Sequence, residues 1–467
     1  MKRILSYFTP KTPWTFVYML QQVEYNPSKF INWIFTLPNL GLVQKRGTLK
    51  TTNRVKLMLI IGYGVWLACI LYSLLLALKG SIGAIAVILI APDTTILSLY
   101  LSTAVLQSLV INPYQNRELS SAKSKMEQSK ATRIAVLGSY GKTTMKELLV
   151  TVLSEGKKVK ATPGNKNVVI SHARWVNTKI HGDEDVLVFE YGEAEPGDIS
   201  KFASLSRPEI AVITGIAPAH MDGYPNLESI TRDFAAIADT VKDENIFVKK
   251  AELLESIKGN VYGVTGIGDW RVSDIKIDFA GTNFTLRNSV DSLQLHSGLL
   301  GVHQVGPISA AAVIAKKLGL TNKQIIDGMA KTQPYEHRMQ PRQLHGAWIL
   351  DDTYNGNIEG MKAGLELLSS LPGKRKVYVT PGLVDQGIET ENIHKQLGRL
   401  IAHANPDKVV LMQNSVTSFI QVGLSIEKFT GEVTIENDPL EYYTNLEHFL
   451  AGGDVVMLQN DWPDSYI

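Results

Sequence analysis

Residues 134–144 read IAVLGSYGKTT, an apolar strand running into a glycine-flanked loop and then into helical spacing. Glycines at 138 and 141 let backbone N–H groups curl around an anion. Lys142 would bring a point charge to the outer phosphate oxygens of a nucleotide, and the Thr143 hydroxyl can ligate Mg²⁺. The first glycine of the generic G-x-x-x-x-G-K-T pattern would fall at Val136, so the loop here is shorter: Gly138, Ser139, Tyr140, Gly141, Lys142, Thr143, Thr144. Strand, loop and helix in that register predict a nucleotide-binding α/β unit.

The same texture continues on the C-terminal side. The β-rich runs RIAVLG, DVLVFEYG, EIAVITGI and NIFVKK have helical pieces at 144–155 and 227–239 between some of them. Such alternation predicts a parallel sheet with helices on both faces. Residues 272–294 alternate in the antiparallel manner, as an insertion or a small sheet. A second set begins near Arg338 with AWILDD, KVYVTPG, KVVLMQ and GDVVMLQ. The reading is α/β, with a central P-loop-type parallel-sheet ATPase domain over 132–334 and a C-terminal Rossmann-like α/β domain over 335–467.

The 467 residues are 45% hydrophobic and 20% charged, which excludes wholesale disorder. The lone cysteine, Cys69, excludes an internal disulfide and a cysteine metal cluster. The net charge of +2 is uneven: residues 1–56 hold nine Lys/Arg against the single acid Glu24. A basic head on a mildly acidic body argues against a nucleic-acid partner and fits a segment lying against anionic lipid. Residues 57–78 carry no charge and, as a helix, would span about 33 Å. Residues 82–111 are a second apolar run broken by Pro92 and Asp93, readable as one tilted helix or as a piece to Ala91 followed by a helix from Thr94. Prolines 10 and 13 and Lys11 interrupt any cleaved signal. The expected layout is a basic, aromatic-rich cytoplasmic or interfacial segment over 1–56, with a small aromatic-rich folded piece as its alternative, a transmembrane hairpin over 57–111 and a linker or short helix over 112–131. It places the chain in the inner membrane, with the bilayer as a partner and the catalytic domains facing the cytoplasm.

The loop GSYGKTT resembles the phosphate loop of the Mur ligase family, ATP-dependent amide-forming enzymes of peptidoglycan precursor synthesis. Further segments resemble the family's motifs in order. Thr162-Pro163-Gly164-Asn165-Lys166-Asn167 is similar to its T-x-G-N-x-N loop, and Phe189-Glu190-Tyr191-Gly192 to its E-x-G strand end, whose glutamate binds magnesium. Ala219-His220-Met221-Asp222 is similar to its metal-site histidine segment, and Gly301-Val302-His303 to the start of its G-x-H-N adenine-side motif. Arg338-Met339, with Asp351-Asp352-Thr353-Tyr354-Asn355-Gly356-Asn357, looks like the R-M and D-D-S-Y-N-A-N-P of the branch that adds D-alanyl-D-alanine to UDP-N-acetylmuramoyl-tripeptide.

The resemblance implies ATP and Mg²⁺ as cofactors. It implies Lys142, Arg338 and His220 as catalytic groups and Thr143, Glu190 and His220 as metal ligands. The nucleotide would be held by the phosphate loop with His303, Gln304, Arg338, Asp352, Tyr354 and Asn355, and substrate by Asn165, Asn167 and Asn357. The reaction would pass through an acyl phosphate, attacked by an amine to leave amide, ADP and phosphate. The implied partners are a cell-wall peptide or lipid-linked precursor and an amino acid or dipeptide. A γ-glutamyl polymer synthase and a non-catalytic ATP-binding membrane scaffold are the alternatives, separated by free glutamate as the added amine and by substrate-dependent ATP turnover.

Four departures accompany the resemblance. The family's carbamylated lysine aligns with Phe234, which cannot ligate; Asp233 is its neighbour. The asparagines of H-N-x-x-N correspond to Gln304 and Pro307. The late K-G-S motif aligns with Gln459-Asn460-Asp461. The apolar hairpin stands where the family has its uridine-nucleotide domain.

Overall fold

The computed structural model describes residues 7–37, 43, 49–164, 167–217, 223–354, 356–383 and 386–460. The chain divides into two compact units, Met1–Arg117 and Glu118–Ile467.

In the first unit, helices α1 (Thr12–Gln22) and α2 (Pro27–Thr36) precede two long apolar helices, α3 (Asn53–Leu78) and α4 (Gly83–Leu106). The aromatic segment forms a small folded piece, one of the two readings its sequence allows. Phe16, Tyr18 and Phe30 are buried in one cluster with Val55 and Met58 of α3 and Leu99 of α4. Trp14 and Tyr18, one helical turn apart, stack at 5.5 Å. The second apolar run is continuous: Pro92 sits inside α4, and a π-helical turn, Gln107–Ile111, leads into α5 (Asn112–Gln128). Both α3 and the helix starting at Gly83 are long and apolar enough to cross a membrane by length and composition alone. Of the two readings of 112–131, linker or short helix, the structure has the helix, and from residue 118 it packs in the second unit through Ala122 and Met126.

The second unit holds two sheets. The larger has ten strands in the order β10-β9-β8-β7-β6-β5-β4-β1-β3-β2. Its strands β1 (Thr132–Leu137), β2 (Val159–Ala161), β3 (Val186–Glu190), β4 (Ile210–Ile213), β5 (Ile246–Lys249) and β6 (Asn260–Gly263) are parallel. Successive β1 side chains explain the two covered faces. Ile134 and Val136 pack with Met145, Leu148 and Leu149 of α6 (Lys142–Leu153), while Ala135 and Leu137 meet Val176 of α7 (Val169–Lys179) and Phe202 of α8 (Asp198–Ser206) in a second core.

The alternating stretch after residue 270 is not a separate sheet. β7 (Gly266–Ile267), β8 (Trp270–Asp278), β9 (Gly281–Arg287) and β10 (Ser292–Ser297) extend the same sheet antiparallel. Helix α9 (Leu227–Ala235) follows β4, and α10 (Val305–Lys317) and α11 (Asn322–Ala330) close the first core over the α6 face.

The smaller sheet runs β11-β12-β16-β13-β14-β15. Only β11 (Gln340–Leu344) is antiparallel; β12 (Ala347–Asp352), β13 (Arg375–Thr380), β14 (Lys408–Met412), β15 (Glu432–Glu436) and β16 (Asp454–Gln459) are parallel. Helices α12 (Ile358–Ser370), α13 (Thr390–Ala404) and α14 (Thr417–Ile426) share a core with this sheet. Between α13 and α14, Gly398 and Gly423 meet backbone to backbone: a Cβ on Gly398 would strike Ile420 O, and one on Gly423 would strike Lys395 O. The hairpin of β8 and β9 reaches the smaller sheet, where Phe279 stacks on Trp348 of β12.

Candidate active site

Parallel sheets leave their ligand crevices at the carboxyl ends of the strands. β1 ends at the phosphate loop, β3 at Glu190 and β12 at Asp352, and these three ends line one cleft of about 620 Å³. Gly138 (φ +139°) and Gly141 (φ +78°) hold the loop in conformations that L side chains resist, and a Cβ on Gly138 would press into Thr214. The loop thereby turns back over β4 and aims α6 with its N-terminus at the cleft, where backbone N–H groups and the helix dipole favour an anion. Lys142, Thr143, Thr144, Ser139 and Tyr140 all line the cleft, as do Asn167, Glu190, His303, Gln304, Arg338, Asp352, Tyr354 and Asn357.

Thr143 Oγ1 donates to Glu190 Oε1 at 3.0 Å. The other carboxylate oxygen of Glu190 is 3.0 Å from Nζ of Lys146, a fully buried lysine one turn beyond Lys142 on α6. Lys146 also donates to Thr162 O at 3.1 Å, and Thr162 Oγ1 accepts the Glu190 N–H at 2.9 Å. The hydroxyl and carboxylate of Thr143 and Glu190 therefore form a fixed pair of hard oxygen donors. Mg²⁺ commonly takes one or two protein oxygens and completes its octahedron with phosphates and water, so this pair fits it. Among the described residues no group of three or more His, Cys, Asp or Glu could hold a metal ion. Asp233 does not offer itself as a ligand: its carboxylate accepts from Gly197 N–H and the Tyr224 hydroxyl, each at 2.7 Å. Phe234 is core, wholly buried.

At the far side, Arg338 sits between two non-glycine residues with positive φ, His337 (+58°) and Met339 (+48°). That strained backbone is held by Tyr354 N–H to His337 O at 3.2 Å and Met339 N–H to Asp352 Oδ1 at 3.2 Å. It carries the Arg338 guanidinium to 4.4 Å from the Tyr354 ring centre. Asp352 also accepts from Gln459 Nε2 at 2.7 Å, and Gln459 takes the Tyr378 hydroxyl at 2.9 Å. Burial lifts the Asp352 carboxyl to about 7, against the pull of Gln459, Met339 N–H and Arg338. Gln459 and Asn460 thus act as braces: Asn460 Oδ1 accepts from Gly356 N–H at 2.9 Å, and its own N–H reaches Asp352 O at 3.0 Å. Asn357 caps α12 by accepting from Gly360 N–H at 3.0 Å, so its side chain is occupied structurally at the cleft wall.

Near the phosphate loop, Lys249 Nζ lies 4.6 Å from the Tyr140 ring centre and 3.2 Å from its hydroxyl. Burial raises the Tyr140 phenol to about 12 and lowers the Lys249 ammonium. His303 is pushed down to about 4, by burial first and by Lys249 second, which leaves its ring neutral and able to accept from Gln304 Nε2 at 2.9 Å.

His220, Asn165, Asn355 and Asp461 lie outside the described residues. The sequence reading missed Lys146, Lys249, Glu193 and Gln459's bracing role. For Lys146 a signal exists, since it follows Lys142 at i+4 on one helix; for Lys249 and Glu193 the partners are far apart in the chain.

Comparison with known proteins follows the same two sheets. The Mur ligase middle domain matches residues 136–315, and the domain described as Mur ligase, glutamate ligase domain matches 337–459. The UDP-N-acetylmuramoyl-tripeptide–D-alanyl-D-alanine ligase of Escherichia coli is 29% identical over 295 residues, 61% of this chain and 65% of that protein. The chain therefore spans less than two thirds of that relative's length. The ligase of the same name from Bacillus subtilis is 28% identical over 354 residues, 72% of this chain and 75% of its own. The crystal structure of MurF ligase from Thermotoga maritima in complex with ADP superposes with a TM-score of 0.65 at 24% identity, over 74% of this chain and 80% of that one. These likenesses correct the expected inner-membrane placement with catalytic domains facing the cytoplasm. The relatives are named for a UDP-linked substrate, and the apolar helices qualify as membrane spans by length and composition alone.

Proposed function

The chain belongs to the Mur ligase family of ATP-dependent, ADP-forming ligases, and from that premise we propose that it joins an amine to a carboxylate of a peptidoglycan precursor. The acceptor and amine named by its relatives, a UDP-N-acetylmuramoyl-tripeptide and D-alanyl-D-alanine, are the first candidates. The observation that carries this reading is the convergence in one cleft of Lys142, Thr143 and Glu190 from the larger sheet with Arg338 and Asp352 from the smaller one.

ATP and Mg²⁺, when bound, would supply the phosphoryl group and a divalent charge that offsets the negative charge on it. Thr143 and Glu190 would hold the metal, and Lys146 keeps the Glu190 carboxylate oriented. Lys142 and Arg338 bring positive charge to the transferred group from opposite walls, which favours the transition state over the ground state as charge spreads onto the equatorial oxygens. The substrate carboxylate would take the phosphoryl group, and the amine would then displace phosphate from the resulting acyl phosphate. The two sheets would exclude water from that mixed anhydride by enclosing it between them.

Phosphate release from Mg-ATP tests this, with UDP-linked tripeptide and D-alanyl-D-alanine, a lipid-extracted precursor pool, or free glutamate as co-substrates, and Lys142→Ala as control. Release dependent on the UDP-linked pair and lost in the control supports the reading. Release only with the lipid pool would make the acceptor lipid-linked, and release only with glutamate would favour a γ-glutamyl polymer synthase. Nucleotide binding with no release under any pairing would leave a scaffold.

A further inference from the structure

Strand β12 ends in two consecutive carboxylates, Asp351 and Asp352, and each holds one of the two residues that flank Arg338. Asp352 Oδ1 takes the Met339 N–H at 3.2 Å. Asp351 Oδ2 lies 3.0 Å from Nδ1 of His337, which makes Nδ1 the ring nitrogen that carries the proton. The other oxygen, Oδ1, accepts from the Thr353 hydroxyl at 2.8 Å and from the Thr353 N–H at 3.3 Å. The Asp351 side chain is 12% exposed and so fixed from both sides, whereas the His337 ring is half-exposed, with Glu336 3.7 Å from its Nε2.

His337 and Met339 both have φ in the left-handed region, +58° and +48°. A Cβ makes that conformation unfavourable by itself, so it persists where surrounding contacts impose it. With both neighbours held, and with the Arg338 N–H bonded to Tyr335 O at 3.0 Å, the direction in which the Arg338 side chain leaves the backbone is set. Arg338 lines the cleft, while Asp351 and His337 are not among its lining residues, so any effect of theirs on the chemistry passes through Arg338. We propose that Asp351 is a positioning residue: through the His337 ring it imposes the left-handed backbone from which Arg338 reaches the transferred phosphoryl group. This rests on the nucleotide reading above, which gives Arg338 its task, and adds to it the residue that aims it.

The test is steady-state phosphate release from Mg-ATP by the full chain, with the co-substrates that support wild-type turnover, resolved into kcat and KM for ATP. Asp351→Ala is expected to lower kcat about tenfold, the effect of a misplaced charge, with KM for ATP nearly unchanged. His337→Ala should match it. His337→Gly should lose less, because glycine enters the left-handed region without help, and adding Asp351→Ala to His337→Gly should cost nothing more. Added to Arg338→Ala, Asp351→Ala should likewise have no further effect on kcat.

A merely structural role gives the reverse order. Glycine, the more flexible residue, would then do more harm than alanine at 337, and Asp351→Ala would lower the urea midpoint without lowering kcat. Either result overturns the proposal, as does an Asp351→Ala loss that persists in the Arg338→Ala background. Because His337 is half-exposed, the alanine–glycine comparison decides the matter even if Asp351→Ala does not fold. In each of these outcomes wild-type turnover leaves the nucleotide reading standing. A wild type that releases no phosphate with any co-substrate would overturn that reading, and this proposal with it.

Discussion

Phe279, at the tip of the β8–β9 hairpin, stacks face to face on Trp348 of β12, with ring centres 4.3 Å apart and planes 2° from parallel. The contact joins the antiparallel end of the larger sheet to the smaller sheet, on which Asp352 is mounted four residues further along the same strand. Removing the indole by Trp348→Ala should lower unfolding free energy by about 2 kcal/mol, from lost burial plus the aromatic term. Trp348→Phe should recover most of it. Urea unfolding of the two variants decides the matter, and equal losses in both would show that the stack contributes nothing beyond shape.

Lys142→Ala should lower kcat/KM for ATP by about 10²–10³, the scale of removing one charge-stabilising group from a transition state. The far-ultraviolet circular dichroism should not change, since Lys142 begins α6 without capping it. A variant with full turnover would remove the phosphate loop from the chemistry.

Lys146 and Glu190 form a buried pair in which each leaves the other uncompensated if removed. Lys146→Met alone should cost about 3–5 kcal/mol of stability. Adding Glu190→Gln should recover part of that loss, with a coupling of about 1 kcal/mol or more. Additive losses in thermal or urea unfolding would mean that the two charges do not sense each other.

Asp352 makes stability depend on pH in a direction opposite to most carboxylates. Its folded pKa, about 7, lies above the unfolded value of roughly 3.9, so the folded chain binds the extra proton between them. The associated stability is fully present below about pH 4 and is lost as pH rises through about 7. Asp352→Asn should abolish this slope and gain on the wild type by about 2 kcal/mol between pH 5 and 8, a discounted figure because donors from Gln459 and Met339 soften the penalty. Parallel unfolding curves for both proteins across that range would refute the assignment.

Much of the α/β body was legible because its signals are local. The run AWILDD is strand β12 from end to end, and RIAVLG and KVVLMQ overlap β1 and β14 within a residue. Short strands such as β2 and the weakly apolar β11 and β15 escaped, since three residues or an exposed edge carry little periodicity. Residues 272–294 gave the right alternation but not their attachment to the larger sheet, which depends on pairing at β6 and β7, where the runs are too short to read. In the site, the phosphate loop, Glu190, Arg338 and Asp352 stood out through motif spacing. Lys146 reads as a surface lysine in KTTMKELL until the fold sets Glu190 and Thr162 around it, and Glu193 reads as a loop acid until Lys142 is seen beside it. Such roles arise from contacts 16 to 51 residues apart in the chain, beyond any local pattern.

The glycine seam between α13 and α14 has a consequence for how this chain tolerates change. Gly398 and Gly423 each occupy space that the facing helix's carbonyls leave to hydrogen alone. Neither can be replaced independently, and neither can be rescued by shrinking a neighbour, because the obstacle is main chain. In a saturation library these two positions should therefore appear as isolated zeros among permissive neighbours such as exposed Gln396 and Val422, a pattern that would mark the helix pair without any structural information.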